Sequence, residues 1–466
     1  MHSISIIITP RQELSEDRQI FDDRMLMAMI IPLFIEQLLQ MVVGIADTLM
    51  VSYAGEEVVS GVSLDTMLYT IFIYLFTAIA TGGAVVVSQY LGNKDSENAG
   101  FAASQVYMIS AAVSLVCMAL ILPGGTGLLR FLYPRVESGV MCASDIYLKI
   151  VAISFPANAV YNAGAALYRS MGKTKTTIIV SAAMNLINVA GNAIGIFVFR
   201  AGAAGVAWPT TISWYFAAIV MTALCFRPRR KVVLSWKNIL KIEKQMDQRI
   251  LRMAVPNAVE NTLFQLAKAV LGALVATFGT AQIAANGIGQ TIWSFAAVMS
   301  ITMSPVFITV IGQCMGKGDV EAADWYMHKL MRLTMILCIS WNALVLALTP
   351  LILPLYQISD EARHLVWVIV IIHNTFSGLI HPFFGPLSAG LRAAGDVKFA
   401  MWTSILATVV CRTAFSFILV LWLGMGVIGI ALAMGIDWII KGGLDLWRSL
   451  KWQNVLNVQL LKLVKK

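Results

Sequence analysis

Apolar runs separated by short polar breaks recur along all 466 residues of the chain. They predict about twelve spans, near 27–52, 60–90, 99–122, 144–168, 175–199, 203–226, 250–276, 284–314, 328–352, 364–391, 398–421 and 425–447. At ~1.5 Å rise per residue, about twenty helical residues cross a bilayer core, and the longer runs tilt or project from it. In lipid only helices and closed barrels satisfy every backbone group. These runs are too long and unbroken for barrel strands. The pattern therefore predicts an all-α, multi-pass membrane protein.

The polar residues inside the runs fall in stripes. In the first run Glu36, Gln40, Gly44 and Asp47 lie on one helical face. A carboxylate near the bilayer centre costs roughly 3 kcal/mol on insertion scales. Such a stripe either pairs with polar neighbours inside a bundle or lines a wet, protein-walled cavity, and the second reading is favoured. Asn188 and Asn192 stand one turn apart in the fifth run; they suit either helix–helix hydrogen bonding or a supply of neutral oxygens to Asp47. Asn257, Asn261, Gln265 and Lys268 form a stripe in the seventh run with Glu260 beside it. Glu36 and Glu260 each follow a proline, Pro32 and Pro256, which frees a carbonyl and can kink a helix. In the tenth run Asn374 and His381 share a face, with His373 to its side; His381 is a candidate proton carrier or substrate contact, or a packing residue. No third ligand accompanies the histidines, so no metal site is expected. Asp65 is placed near an outer mouth, and Arg412 and Asp437 are read as structural ion-pair partners, not necessarily of each other.

Composition sharpens the class. The chain is 58% hydrophobic and 13% charged, whereas a soluble chain carries about 25% charged residues. The net charge of +9 has a topological cause, so no nucleic-acid partner is expected. Arg227, Arg229, Arg230, Lys231, Lys237, Lys241, Lys244, Arg249 and Arg252 cluster in the central loop. Arg448, Lys451, Lys462, Lys465 and Lys466 cluster in the tail. The segments on the other side hold Arg130, Arg135, Arg200 and Arg363. This bias predicts both termini on the cytoplasmic side of the cell membrane. The expected organisation is a cytoplasmic segment 1–26, a six-span lobe 27–226, a basic linker 227–249, a second six-span lobe 250–447 and a basic amphipathic tail 448–466. Residues 1–24 do not read as a cleavable signal peptide. The six cysteines are scattered, without metal or disulfide spacing.

The two halves repeat. A shift of 224 pairs Pro32 with Pro256, Glu36 with Glu260, Gln89 with Gln313, Asp95 with Asp319, Gly202 with Gly426 and Trp214 with Trp438. A shift of 223 pairs Arg169, Gly172 and Lys175 with Arg392, Gly395 and Lys398. An even number of spans precedes the second copy, so the copies run the same way through the membrane. Parallel repeats of this kind suit a transporter of two rocking bundles.

Several segments together resemble the MATE (multidrug and toxic compound extrusion) family over nearly the whole chain: Ala46-Asp47-Thr48-Leu49-Met50-Val51, Gln89-Tyr90-Leu91-Gly92 with Lys94-Asp95, Leu167-Tyr168-Arg169-Ser170-Met171-Gly172, Leu391-Arg392-Ala393-Ala394-Gly395-Asp396, and Gly202-Ala203-Ala204-Gly205-Val206-Ala207. The resemblance implies two pseudo-symmetric six-helix lobes around a central cavity, and export of organic cations or other amphiphiles in exchange for H⁺ or Na⁺. Asp47 matches the family's first-helix aspartate. Three positions depart from family patterns: Asn192 and His381 stand where acids occur in other members, and Phe264 where one branch has a glutamate.

The expected cation-coupling residues are accordingly Asp47, Asn188, Asn192 and Glu36. The expected substrate-cavity residues are Glu260, Asn261, Gln265, Lys268, His381 and Gln40. Several separate titratable groups favour H⁺ over Na⁺ as the coupling ion, and no cofactor is expected. The expected partners are a small-molecule substrate, the coupling cation and the bilayer, with the chain acting as a monomer. A flippase for a lipid-linked substrate is the alternative; it calls for a cationic cavity, whereas the candidate groups are mainly carboxylates and amides. No hydrolase, metalloprotease or nucleotide-binding motif appears, which argues against an enzyme and against ATP drive.

Overall fold

In the computed structural model, residues 14–134, 136–227, 232–356 and 358–451 are described. The described chain is helical between short connections. The helices are α1 Asp23–Ser52, α2 Glu56–Gly92, α3 Ser96–Leu132, α4 Ser138–Ile153, α5 Phe155–Ser170, α6 Thr174–Val198, α7 Gly202–Cys225, α8 Lys244–Val275, α9 Thr280–Lys317, α10 Val320–Leu355, α11 Asp360–Leu379, α12 His381–Ala393, α13 Val397–Trp422 and α14 Gly426–Leu450. Among the described residues ten of these are individually long and apolar enough to span a membrane. Counted as one bent span each, the pairs α4/α5 and α11/α12 bring the number to twelve.

Two spans that read as straight in sequence are broken. α4 meets α5 at 47° and α11 meets α12 at 57°. Prolines explain both: Pro156 opens α5, and Pro382 and Pro386 interrupt α12. Each lacks the N–H needed to continue the ladder from the preceding segment. At the first bend Ser154 donates its hydroxyl to the Val151 carbonyl at 2.6 Å instead. α3 runs ten residues beyond its predicted end, with Pro123 inside it.

The repeat is visible in detail, α1–α7 matching α8–α14. The paired Arg-Gly segments are helix C-caps. Gly172 and Gly395 take φ of 72° and 96°, and the next residues, Lys173 and Asp396, donate back to the Tyr168 and Leu391 carbonyls at 2.9 and 3.0 Å. That left-handed turn favours glycine. Asp95 and Asp319 are matching N-caps of α3 and α10, accepting from the N–H of Asn98 and Ala322 at 3.0 Å.

The change of shift from 223 to 224 also has a structural cause. Wide π-helical turns close α6 at 194–198 and α13 at 418–422, in 224 register. α13 has an additional π-helical stretch, Ile405–Cys411, while the α6 partner of that stretch is regular α-helix. A π turn accommodates one extra residue without breaking the helix. The inserted residue therefore falls between Lys398 and Arg412.

The chain forms two compact units, Met27–Ala258 and Val259–Lys466 with Met1–Leu26. The first packs around Val86, Tyr107, Tyr168, Met221 and Ile250. The second has a cluster around Ala285, Ile292, Val366 and Val427. The described parts of the N-terminal segment and of the linker are built into these units. Gln105 donates to the Asn238 and Lys241 carbonyls at 2.6 Å, and Arg249 reaches Gln89 at 3.0 Å in the first unit. In the second, Arg18 pairs with Asp319 and Glu321, and the Phe21 N–H bonds Tyr326 at 2.8 Å. Residues 1–13, Arg135, Arg229, Arg230, Lys231 and the tail from Trp452 lie outside the described residues.

Candidate functional site

The first unit encloses a cavity of about 490 Å³, within the usual size range of ligand pockets. Asp47 enters it from α1, Asn188 from α6, Thr210 and Ser213 from α7, and Tyr69 and Tyr147 from α2 and α4. Close helix packing sets this up. A Cβ on Gly195 would fall 2.0 Å from the Gly205 carbonyl, and one on Gly191 would fall 2.6 Å from Pro209. Only glycine lets α6 and α7 approach this closely, and the approach sets the α6 amides against Thr210.

Asp47 is held by two amides. Asn192 Nδ2 donates to Asp47 Oδ1 at 2.9 Å. In the amide orientation that matches donors with acceptors, Asn188 Nδ2 lies 3.0 Å from both Asp47 oxygens, and its oxygen faces Thr210 Oγ1 at 3.0 Å. Asn192 is fully buried, and its amide oxygen has no hydrogen-bond donor among the described residues. Asp47 itself is half-buried. Among the lining residues it is the sole carboxylate; the rest are valines, aromatics, Met184 and small polar residues.

Three of the four residues expected at the cation site thus come together: Asp47, Asn188 and Asn192. Glu36 does not join them. It is fully buried, takes a 2.8 Å bond from Arg169 and a 3.1 Å bond from the Thr177 hydroxyl, and does not line the cavity. Arginine supplies the compensation that a buried carboxylate needs.

None of the six residues expected around a substrate lines this cavity. Glu260 is bound by Arg392 at 2.5 and 2.7 Å and lies 3.6 Å from Lys441. His381 contacts Ser300 Oγ through Nδ1 at 2.7 Å and packs its ring against Trp438 and Phe384. Asn261 and Gln265 are half-buried on α8, and Lys268 on α8 and Gln40 on α1 are exposed. Asp65, expected near a mouth, is fully buried and accepts from Ser144 at 2.8 Å. Arg412 and Asp437 do pair, with Nε 2.6 Å from Oδ2. Tyr69, Tyr147, Thr210 and Ser213 were missed as cavity residues; the spacing of Thr210 and Ser213, three apart in the sixth run, was the signal that could have found that pair.

The comparisons with known proteins agree with this architecture. The MatE family model matches residues 32–194 and 256–418, two copies 224 positions apart. The chain is 26% identical over 434 residues to the uncharacterized transporter YisQ of Bacillus subtilis (strain 168), covering 90% of this chain and 93% of YisQ. It is 23% identical over 463 residues to the probable multidrug resistance protein NorM of Thermotoga maritima, covering 95% of each. The crystal structure of MATE in complex with MaL6 superposes with a TM-score of 0.87 at 17% identity, covering 98% of this chain and 100% of that one; at that identity the likeness is one of fold. With both copies of its repeat matched, the chain belongs to the MatE family and is a multi-pass membrane transporter, not an enzyme.

Proposed function

We propose that this transporter exports organic cations or similar amphiphiles in exchange for a coupling cation, and that Asp47 with Asn188 and Asn192 is the coupling site. The observation that carries the reading is a lone carboxylate, braced by two amides, at the wall of a largely apolar and aromatic cavity. Aromatic walls attract cations and flat apolar groups, and a single carboxylate serves either the coupling ion or a cationic substrate, not both. That mutual exclusion is the minimum an antiporter requires.

H⁺ is the preferred ion. Ionised, Asp47 accepts from both amides; protonated, it must donate, and rotating either amide presents an oxygen to it. The buried Asn192 oxygen without a donor fits the second state. Na⁺ would need more oxygens than one carboxylate and two amides provide, drawn from cavity hydroxyls such as Thr210 and Ser213. The positive charge of the central loop supports a cell-membrane orientation with both termini inside. Proteoliposomes with an imposed pH or Na⁺ gradient test the reading. Wild-type efflux of a fluorescent organic cation should collapse with a protonophore and ignore Na⁺ at fixed pH, and Asp47→Asn should abolish coupling while leaving the protein folded. Wild-type efflux by Asp47→Asn overturns the site; efflux that needs Na⁺ and survives the protonophore overturns the ion.

A further inference from the structure

The repeat allows the first unit's cation site to be traced residue by residue into the second. The shift of 224 holds on all three helices concerned: Glu36 with Glu260 on α1 and α8, the π turns 194–198 with 418–422 on α6 and α13, and Trp214 with Trp438 on α7 and α14. Arg412 follows the inserted π stretch, so it too is in 224 register. Asp47 then corresponds to Leu271, Asn188 to Arg412, Asn192 to Ser416 and Ser213 to Asp437.

In the first unit the carboxylate comes from α1 and the facing α6 and α7 positions are neutral. In the second the α8 position is apolar, α13 supplies a guanidinium and α14 supplies the carboxylate. Arg412 and Asp437 are both buried, with Nε 2.6 Å from Oδ2. Thr408 donates to Asp437 at 3.4 Å, and the Arg412 guanidinium lies over the Phe264 ring at 5.6 Å. Other charged or titratable groups within electrostatic reach of the pair are Lys441 on α14, His373 on α11, His381 on α12, Lys268 on α8 and the Cys411 thiol on α13. Lys441 is drawn toward Glu260, 3.6 Å away, and lies 4.0 Å over the Phe384 ring. Each site holds one carboxylate, half-buried in the first and fully buried in the second. The first leaves its negative charge to be met from solution; the second meets its own.

We propose that Arg412 is a tethered cation occupying the second unit's counterpart of the coupling site, and that it confines cation exchange to the first unit. The inference rests on reading Asp47 as the coupling carboxylate. Removing the guanidinium should turn Asp437 into a site for a free monovalent cation, because a buried carboxylate left alone must recruit one or take a proton.

The test uses the full-length protein in nanodiscs and proteoliposomes. Arg412→Asn, which installs the residue found at position 188, should bind one additional cation. It is read as one more protonated aspartate by difference infrared spectroscopy at neutral pH, or as one more ²²Na⁺ per protein at fixed pH. Arg412→Asn with Asp437→Ser recreates the Asn188/Ser213 pair; it should fold, lose the additional cation and export ethidium with wild-type coupling. A folded Arg412→Asn that gains neither proton nor Na⁺ overturns the proposal. So does a double variant that binds ethidium and loses cation coupling, since the pair would then be part of the exchange itself; this arm holds even where the single variant does not fold. Wild-type coupling by Asp47→Asn instead removes the reading of the first site, and leaves the gain or lack of a cation at Asp437 to be read separately.

Discussion

Arg169 donates to the fully buried Glu36 at 2.8 Å, joining α5 to α1, and the repeat builds the same link again between Arg392 on α12 and Glu260 on α8 at 2.7 Å. In both copies a left-handed glycine three residues later ends the arginine's helix, which fixes where the guanidinium can reach. The second link carries an additional cation, Lys441. Breaking a buried ion pair from one side costs about 3–5 kcal/mol, because the remaining charge stays buried. Glu36→Gln should therefore lower the unfolding temperature in detergent, and Glu260→Gln should lower it less, since Glu260 is less buried and Asp445 stays within electrostatic reach of Arg392 and Lys441. The ion-to-substrate ratio of folded Glu36→Gln should match wild type; a changed ratio would return Glu36 to the coupling machinery.

The segment before α1 is tied down by a pH-sensitive contact outside the membrane. Asp319 pairs with Arg18 and accepts from the Ala322 N–H. Burial pushes its carboxyl up, but the Arg18 contacts and the Ala322 hydrogen bond pull harder, so it titrates below the usual carboxylate value. A carboxylate with a depressed folded pKa stabilises above its unfolded pKa, near 3.9, and that contribution is lost as pH falls through the lower folded value. Residues 15–22 should accordingly keep their hydrogen-exchange protection from neutral pH down to about 4 and lose it below. Asp319→Asn should lower protection already at neutral pH and flatten the acid transition. Unaltered protection in the variant would show that the Phe21–Tyr326 bonds and the Arg18–Glu321 pair hold the segment without Asp319.

How much of this was legible depends on the physics behind each feature. The spans were readable because lipid imposes a length and an apolar composition on them. The Asp47, Asn188 and Asn192 cluster was readable as isolated polar residues at helical spacing. Glu36 looked equivalent to Asp47 in sequence because periodicity reports a shared face and not the partner; only the fold brings Arg169 to it from 133 positions away. The bends at Pro156 and Pro382 were missed because a proline in a membrane helix is compatible with a straight span. The inserted π stretch was present in the sequence as the change of shift from 223 to 224, which alone does not say where the additional residue is absorbed.

The charge bias predicts the topology. Lys237 lies on the exposed turn Trp236–Ile239 within the basic central segment. In a background without native cysteines, Lys237→Cys should react with an impermeant maleimide in inside-out vesicles and stay unlabelled in whole cells, as positive loops are retained on the cytoplasmic side. Labelling from outside intact cells would invert the orientation of all twelve spans.

The π stretch Ile405–Cys411 offers the sharpest mechanical test. It separates two buried pairings on α13: Thr403 with Asp445 at 3.1 Å before it, and Arg412 with Asp437 at 2.6 Å after it. Both acids stand on α14, so the two pairings must stay in phase. A π turn winds by less per residue than an α turn, so the stretch absorbs one additional residue with its flanks in phase, and deleting one residue restores a regular α-helix without rotating one side against the other. Val410 is 53% exposed, so its own packing contributes little, and Val410→Ala should change stability by less than about 0.5 kcal/mol. Deleting Val410 should likewise keep both pairings, since it restores the spacing of the regular α6, and should leave the unfolding temperature close to that of the alanine variant. Unfolding temperatures of the deletion and the alanine variant, measured side by side, decide it: a fall in the deletion alone, of the size expected for losing the buried Arg412–Asp437 pair at about 3–5 kcal/mol, would show that the additional residue sets the phase of the pairings.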